Sequence, residues 1–268
     1  MFTEEDILRY SRHILLPEVG VPGQKKIQEA KIFILGAGGL GSPALLYLAA
    51  AGVKEIGVAD ADTVDLSNLQ RQVLHFTDDV DKLKTESAKE KLNNLNPGVK
   101  ITAYSERVTK DNVMDIFSGY DIILDGSDNF PTRYLLNDAC YFLKKVLVSG
   151  SILRFDGQLT VFDTANGSAC YRCLYPEPPP KGMVPSCQEA GVLGVVAGTI
   201  GVLQAQEALK VAIGIGEPLT NQLLIFDALN TTFKKLKVRK DPHCPLCSDK
   251  ATIKELVQYV EEEACELR

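Results

Sequence analysis

Short apolar runs separated by longer stretches of mixed polarity dominate the first half of the chain. Residues 31–35 (KIFIL) form one run, ending at Gly36, and residues 55–59 (EIGVA) form a second, ending at Asp60. Runs of this length without polar alternation read as strands buried on both faces. Further strands are predicted at 100–104, 121–125 (DIILD) and 145–149 (KVLVS), with helices at about 40–51, 82–95, 110–117 and 132–143. Strands alternating with helices require right-handed crossovers, which predicts an α/β fold with a doubly wound, mainly parallel sheet. Beyond residue 150 the pattern alternates between apolar and polar positions, at 157–163 (GQLTVFD), 222–227 (QLLIFD) and 232–238. Those segments predict antiparallel strands that continue the sheet.

Three further segments refine this picture. Met1 to Arg12 reads as a charged amphipathic helix and lacks the pattern of a signal peptide. The longest apolar stretch, Ala190 to Leu203, is rich in glycine and is shorter than the ~18 residues that suggest a membrane span. Gln204, Gln206 and Glu207 continue it, so it reads as a buried core or dimer-interface helix. Pro176 to Pro185 (PEPPPKGMVP) predicts an extended surface loop, and residues 252–263 one amphipathic helix. The whole chain, 1–268, reads as a single domain. Its parts are N-terminal helices (1–30), a half of alternating strands and helices (31–150), a second half (151–248) and a helical tail (249–268).

Composition excludes several classes. Apolar residues make up 45 % of the chain and charged residues 24 %, ordinary values for a protein with a full core. A formal net charge of −6 argues against a general binder of nucleic acid or anionic membrane. The basic run Lys234, Lys235, Lys237, Arg239 and Lys240 reads as a solvated strand face.

Four of the seven cysteines form two C-x-x-C pairs, Cys170/Cys173 and Cys244/Cys247. Two such knuckles supply four soft ligands, the tetrahedral set that Zn²⁺ prefers, with no position left open for chemistry. Because the pairs lie far apart in sequence, the metal would clip two remote segments together. Thiols of this kind in a chain without an export signal point to the reducing cytoplasm.

Chemistry is expected at a glycine loop. Gly36-Ala37-Gly38-Gly39-Leu40-Gly41 matches G-x-G-x-x-G between a strand and a helix, the fingerprint of a Rossmann-like fold. Glycine permits a tight turn and close approach to phosphate, while the helix N-terminus offers free N–H donors. Asp60 ends the next strand, placed to accept hydrogen bonds from ribose hydroxyls. Alone, this fingerprint would suggest NAD. The stretch Ser67-Asn68-Leu69-Gln70-Arg71-Gln72 and the later Lys84 add donors and two positive charges. Nicotinamide chemistry needs no such cluster, whereas nucleotidyl transfer does, because charge develops on the transferred group and on pyrophosphate. The bland alternative for these residues is a surface segment with ordinary ion pairs. Asp125-Gly126-Ser127-Asp128-Asn129 follows the fourth strand, where ligands of open α/β sheets bind. Asp128 could hold Mg²⁺ and Asp125 could orient the loop. The alternative for Asp128 and Asn129 is simple turn and N-cap chemistry before Pro131.

In order along the chain stand G-A-G-G-L-G, D-A-D-x-V-D-L-S-N-L-Q-R-Q, K-L-K, D-G-S-D-N-F-x-x-R, C-Y-R-C, S-C-Q-E-A-G-V and C-P-L-C. Together they resemble the ThiF/MoeB/HesA family of adenylyltransferases, bacterial relatives of ubiquitin-activating enzymes, over roughly residues 5 to 248. The resemblance implies ATP- and Mg²⁺-dependent adenylation of the C-terminal glycine of a small ubiquitin-like sulfur carrier, in molybdopterin or thiamine synthesis. It implies nucleotide contacts from the glycine loop (Gly36, Gly38, Gly39, Gly41), with Gly39 the matching residue, and from Asp60 on the ribose. Phosphate contacts fall to Ser67, Asn68, Leu69, Gln70 and Arg71, charge stabilisation to Lys84, magnesium to Asp128 and a nucleotide contact to Asn129. Arg12 matches an arginine that reaches the partner's site in a homodimer. Cys170, Cys173, Cys244 and Cys247 match structural zinc ligands, and residues 151–248 the carrier-binding half. Cys187 matches a cysteine that, in some members, links covalently to the carrier; the alternative is an inert thiol. About twenty residues follow Cys247, too few for a rhodanese domain, so a separate sulfur donor such as a rhodanese or cysteine desulfurase is expected. The competing readings are an NAD(P)-dependent oxidoreductase, for which no Tyr-x-x-x-Lys or His-Asp candidate stands out, and adenylation of a peptide or tRNA.

Overall fold

The order of the strands decides where a ligand can sit. In a computed structural model describing residues 2–179 and 190–257, eight strands form one continuous mixed sheet in the order β3-β2-β1-β4-β5-β6-β7-β8. The first five are β1 (Lys31–Leu35), β2 (Glu55–Ala59), β3 (Lys100–Tyr104), β4 (Ile122–Asp125) and β5 (Val146–Leu153). They pair in parallel. β6 (Asp156–Phe162), β7 (Gln222–Asp227) and β8 (Thr232–Lys237) extend the sheet in antiparallel fashion. β5 is longer than its apolar run suggests, because its far half, to Leu153, pairs only with β6.

Strict alternation along the buried strands divides the core in two. Ile32 and Ile34 of β1 face one layer, with Ile56 and Val58 of β2. There they meet Leu45 and Leu48 of α3 (Gly41–Ala51) and Ala205 and Ala208 of a long helix, α8 (Gly194–Ile213). Phe33 and Leu35 face the other layer, against Phe117 of α5 (Val113–Ser118) and Leu136 and Ala139 of α6 (Phe130–Leu143). Residues on opposite faces of one strand thus serve opposite helical layers, as a doubly wound sheet requires.

Outside the sheet, α1 (Glu4–Ile14) begins at a capping box in which Thr3 and Asp6 exchange hydrogen bonds. α2 (Gly20–Glu29) follows it and leads into β1; α4 (Lys84–Leu95) joins β2 to β3; and α7 (Tyr171–Leu174) is a single turn. α8 starts four residues later than the apolar stretch implied and carries its burial through Gln204 and Glu207. Its glycines permit close packing: a Cβ at Gly201 would collide with the Leu40 carbonyl. Among the described residues no helix is long and apolar enough to cross a membrane.

The expected helix at 252–263 is corrected as far as residue 257. Residues 251–257 are not helical. The Thr252 and Ile253 amides both donate to the Pro245 carbonyl, and Ile253 and Leu256 are tucked separately against two apolar clusters. Those anchors hold the backbone in an irregular path where a helix would have placed both side chains on one face. Residues 258–263 lie outside the described residues.

Candidate active site

β1 is flanked by β2 on one side and β4 on the other, so the chain leaves its carboxyl end in one direction and returns to its neighbour from the other. A crevice opens at such a switch point. Its floor is the turn after β1: the Gly36 amide donates to the Ala59 carbonyl (2.7 Å) and the Gly126 amide to the Leu35 carbonyl (2.9 Å). Gly36 has φ +90°, and a Cβ at Gly41 would collide with the Gly36 carbonyl, so only glycine lets this loop fold back onto the first turn of α3. The Ser42 amide closes this turn by donating to the Gly38 carbonyl (2.8 Å), and the loop leads straight into the N-terminus of α3, the end of a helix where phosphate is favoured.

Asp60 stands beside this loop. Its Oδ2 accepts from the Ala37 amide and its Oδ1 from the Asp62 amide, both at 2.9 Å. Burial pushes its carboxyl pKa up, opposed first by the charge of Lys84. Lys84, at the start of α4, is almost wholly buried and places Nζ 2.8 Å from Asp62 and 3.9 Å from Asp60. A lysine held among carboxylates beside an anion-binding loop is a charge that an incoming phosphate can engage.

Residues 66–71 close the same side. Asp65 caps a short 3₁₀ turn at Leu66–Asn68 by accepting from the Ser67 amide (2.7 Å). Arg71 folds back to donate to the Ser67 carbonyl and to Gln70 Oε1, each at 3.0 Å. Its aliphatic stem lies against Gly39, and Gln72 against Gly38. Gln72 Oε1 is buried without a partner, an orphan acceptor at the loop. Asn68 and Leu69 are half-buried; Ser67 and Gln70 are exposed.

On the β4 side, Asp125 is buried and accepts from the Ser127 amide (2.9 Å) and Ser127 Oγ (2.6 Å). It therefore orients the loop. Burial raises its pKa. Asp128 is exposed at the rim, and Asn129 is the N-cap of α6, accepting from the Thr132 amide at 2.9 Å. Beyond them lies a cavity of about 360 Å³ between α6, β5, β6 and α7.

Two supporting residues escape a reading by motif. His75 is buried, with Nε2 2.8 Å from the Ala37 carbonyl and Nδ1 2.8 Å from Ser87 Oγ, so it braces the glycine loop from below. Gln204 of α8 donates to the carbonyls of Asp125 (2.7 Å) and Val148 (3.1 Å). A lone histidine near the cationic stretch, and a glutamine inside a glycine-rich apolar helix, were the available signals.

Arg12 is not brought to this crevice within the chain. It is exposed on α1, which packs where α3 ends: Tyr10 fills the space beside Gly52 and accepts from Asn96 (2.9 Å). The eleven residues of α3 separate that end from the glycine loop, roughly 16 Å at the rise of an α-helix. Cys187 lies outside the described residues.

The four cysteines do converge. Cys170, Cys173, Cys244 and Cys247 hold their sulfurs within 4.8 Å of one another, with three of the four buried. Sulfur separations are 3.9 Å (170–173), 3.6 Å (170–244) and 3.4 Å (173–247). Four thiolates at ~2.3 Å from a tetrahedral Zn²⁺ stand about 3.8 Å apart, so the donor set fits that ion.

Taken together, the crevice offers a helix N-terminus, the acid Asp60, two cations and a rim carboxylate. That arrangement suits a nucleoside triphosphate whose α-phosphate is attacked from the adjoining cavity. The chain matches the model of the ThiF family over residues 10–246. It is 51 % identical to the "Sulfur carrier protein adenylyltransferase" of Thermus thermophilus, over all of this chain and 99 % of that one. It is 50 % identical to the "Adenylyltransferase and sulfurtransferase MOCS3" of Drosophila sechellia, over 96 % of this chain and 57 % of the fly protein. It is 48 % identical to the "Probable adenylyltransferase/sulfurtransferase MoeZ" of Mycobacterium tuberculosis, over 96 % and 65 %. The chain thus spans the Thermus relative and under two thirds of the two longer ones. A crystal structure of Escherichia coli MccB with AMPCPP and a selenomethionine-substituted MccA shares the fold, with a TM-score of 0.81 at 23 % identity over 92 % of this chain and 75 % of that one.

Proposed function

The chain belongs to the ThiF family, and from that premise we propose that it uses ATP to adenylate the C-terminal glycine of a small ubiquitin-like sulfur carrier. The observation that carries this reading is the cavity beside Asp128, which opens next to a phosphate-suited crevice and leaves room for a second substrate. ATP lies along the glycine loop with its ribose on Asp60 and its phosphates toward Arg71, Lys84 and the Ser67–Gln70 stretch. Asp128 is the residue suited to Mg²⁺, which would neutralise charge on the phosphates. No general base is required, because a carboxylate is already a nucleophile at neutral pH. Rate enhancement comes from alignment and charge neutralisation.

Finer parts of the reading are also proposals. Zn²⁺ held by Cys170, Cys173, Cys244 and Cys247 staples the α7 turn to the segment after β8. The chain works as a homodimer, with Arg12 completing the partner's crevice; its distance from the crevice in its own chain supports that role. Cys187 serves only the sulfur step that follows, for which a separate donor supplies sulfur. The division into nucleotide-binding (31–150) and carrier-binding (151–248) halves follows the change from parallel to antiparallel pairing.

ATP–pyrophosphate exchange, run with and without Gly-Gly-ended carriers from the same cell, tests the reading. Exchange that depends on one carrier supports it and names the pathway, molybdopterin or thiamine. Protein that binds ATP but stays silent with every carrier would point instead to a different acyl substrate. Cys187→Ala should leave exchange unchanged.

A further inference from the structure

Arg133 presents a cation to the cavity beside Asp128, where it also acts on the Tyr171 hydroxyl. It closes the first turn of α6, as the fourth residue of that helix, and lines that cavity. One donor, Nη2, reaches the Ser127 carbonyl at 3.3 Å, and the guanidinium lies 5.4 Å from the Phe130 ring centroid. Its Nε is buried and has no hydrogen-bond partner. Among the described residues no carboxylate forms a salt bridge with it. Asp125 feels its charge, yet both of that residue's oxygens already accept from Ser127 and Ser149. Asp125 offsets its charge without pairing directly with it, and the geometry the guanidinium offers is the planar fork that pairs with a carboxylate.

Surroundings select the kind of anion. Arg71 and Lys84, the cations beside Gly39 and Asp60, do not line this cavity. Its walls come from β5, β6 and the tyrosines 171 and 175; the Tyr175 hydroxyl donates to Gln158 Oε1 at 3.2 Å. A space of about 360 Å³ admits a small ligand or a chain terminus, and no folded surface.

We propose that Arg133 receives the free C-terminal carboxylate of the protein substrate inside this cavity, binding one oxygen while the other faces the α-phosphate of ATP. This rests on the adenylation reading above. The free oxygen forms the new bond to the α-phosphorus. The bond from that phosphorus to the bridging oxygen breaks, and pyrophosphate leaves with the electron pair. No proton is transferred. Once the acyl-adenylate has formed, the carboxylate charge on which Arg133 acts is gone, and its grip on the product weakens.

The test uses the full-length protein, a Gly-Gly-ended ubiquitin-like carrier made as the free acid and as the C-terminal carboxamide, and calorimetric binding of each, with ATP measured separately. Wild type should prefer the acid by roughly tenfold to a hundredfold, the range of one charge-assisted pair. Arg133→Gln should bring that ratio to within about twofold and leave ATP affinity unchanged; Arg133→Lys should give an intermediate ratio. If the glutamine variant fails to fold, the lysine variant carries the same comparison. An acid preference that survives in the variants overturns the proposal, as does weakened ATP binding with the preference intact, which would assign Arg133 to phosphate. Absence of carrier-dependent exchange in the wild type overturns the reading of a carrier as the acyl substrate and this inference together, and is distinguishable because it appears before any substitution is made.

Discussion

Arg172 donates from Nε and Nη2 to the two carboxylate oxygens of Asp138, at 2.8 and 2.7 Å, with both side chains closed off from solvent. Arg172 lies between the cysteines of the first knuckle, and Asp138 lies on α6, the helix whose N-terminus carries Asp128 and Asn129. The neighbouring Asn137 accepts from the Tyr171 amide at 2.8 Å, so two polar contacts tie the cysteine cluster to the helix that frames the crevice.

Breaking this pair on one side should be severe. Asp138→Ala removes the carboxylate that accepts from both Nε and Nη2 of the buried Arg172, a loss of about 3–5 kcal/mol by analogy with other buried pairs. Urea unfolding should register it as a lower midpoint. The double variant Asp138→Leu/Arg172→Met should recover much of the loss, since it removes both charges together. A double variant as unstable as the single one would mean that packing, and not charge, sets the cost.

The cysteine cluster makes a separate prediction. Metal analysis should find about one zinc per chain, and Cys244→Ser should abolish stoichiometric zinc and lower the unfolding midpoint. A metal-free wild type with an unchanged midpoint would show that hydrogen bonds among the thiols suffice.

Motif spacing made the crevice legible because each motif sits at a strand end. The apolar runs placed β1, β2 and β4 to within a residue, and a glycine loop and two acids necessarily follow those strands. What supports the site was less visible. His75 and Gln204 contact backbone carbonyls that are remote in sequence, at Ala37 and Asp125, and no local spacing encodes such a bond. The segment at 252–257 misled for a related reason. Its apolar positions fit a helical period, yet Ile253 and Leu256 fill separate clusters once the Pro245 carbonyl anchors the chain. For Asn129 the bland alternative describes its contact in the free chain: the side chain caps α6.

His75 should give the fold a pH dependence. Burial pushes its imidazole pKa down, with the hydrogen bond to Ala37 opposing, and the net shift is downward. Below about pH 6.5 the unfolded chain therefore binds more protons than the folded one, and stability is present above that pH and lost as pH falls. Asp79 adds a second loss at lower pH: burial would raise its carboxyl pKa, but hydrogen bonds led by the one from Lys91 hold it well below the carboxylate range. Urea midpoints at pH 8, 6 and 5 should decline in wild type. His75→Gln can still bond the Ala37 carbonyl without titrating, and should flatten the decline between pH 6.5 and 5. An equal slope in both proteins would assign the effect to other groups.

Lys84→Met couples the chemistry to Asp60. Removing a charge from the phosphate side of the crevice should slow carrier-dependent exchange by ~100-fold or more. It should also change how ATP binding responds to pH. Lys84 is the leading influence that opposes burial at Asp60, so its loss drives the Asp60 pKa further upward. A protonated Asp60 loses the acceptor strength that ribose hydroxyls and the Ala37 amide require. ATP affinity of the variant should therefore fall as pH drops, with a midpoint at higher pH than in wild type. Fluorescence titration with an ATP analogue from pH 8 to 5 measures both midpoints. Coincident midpoints would show that Lys84 and Asp60 act independently, and would leave the 3.9 Å between them without a role in nucleotide binding.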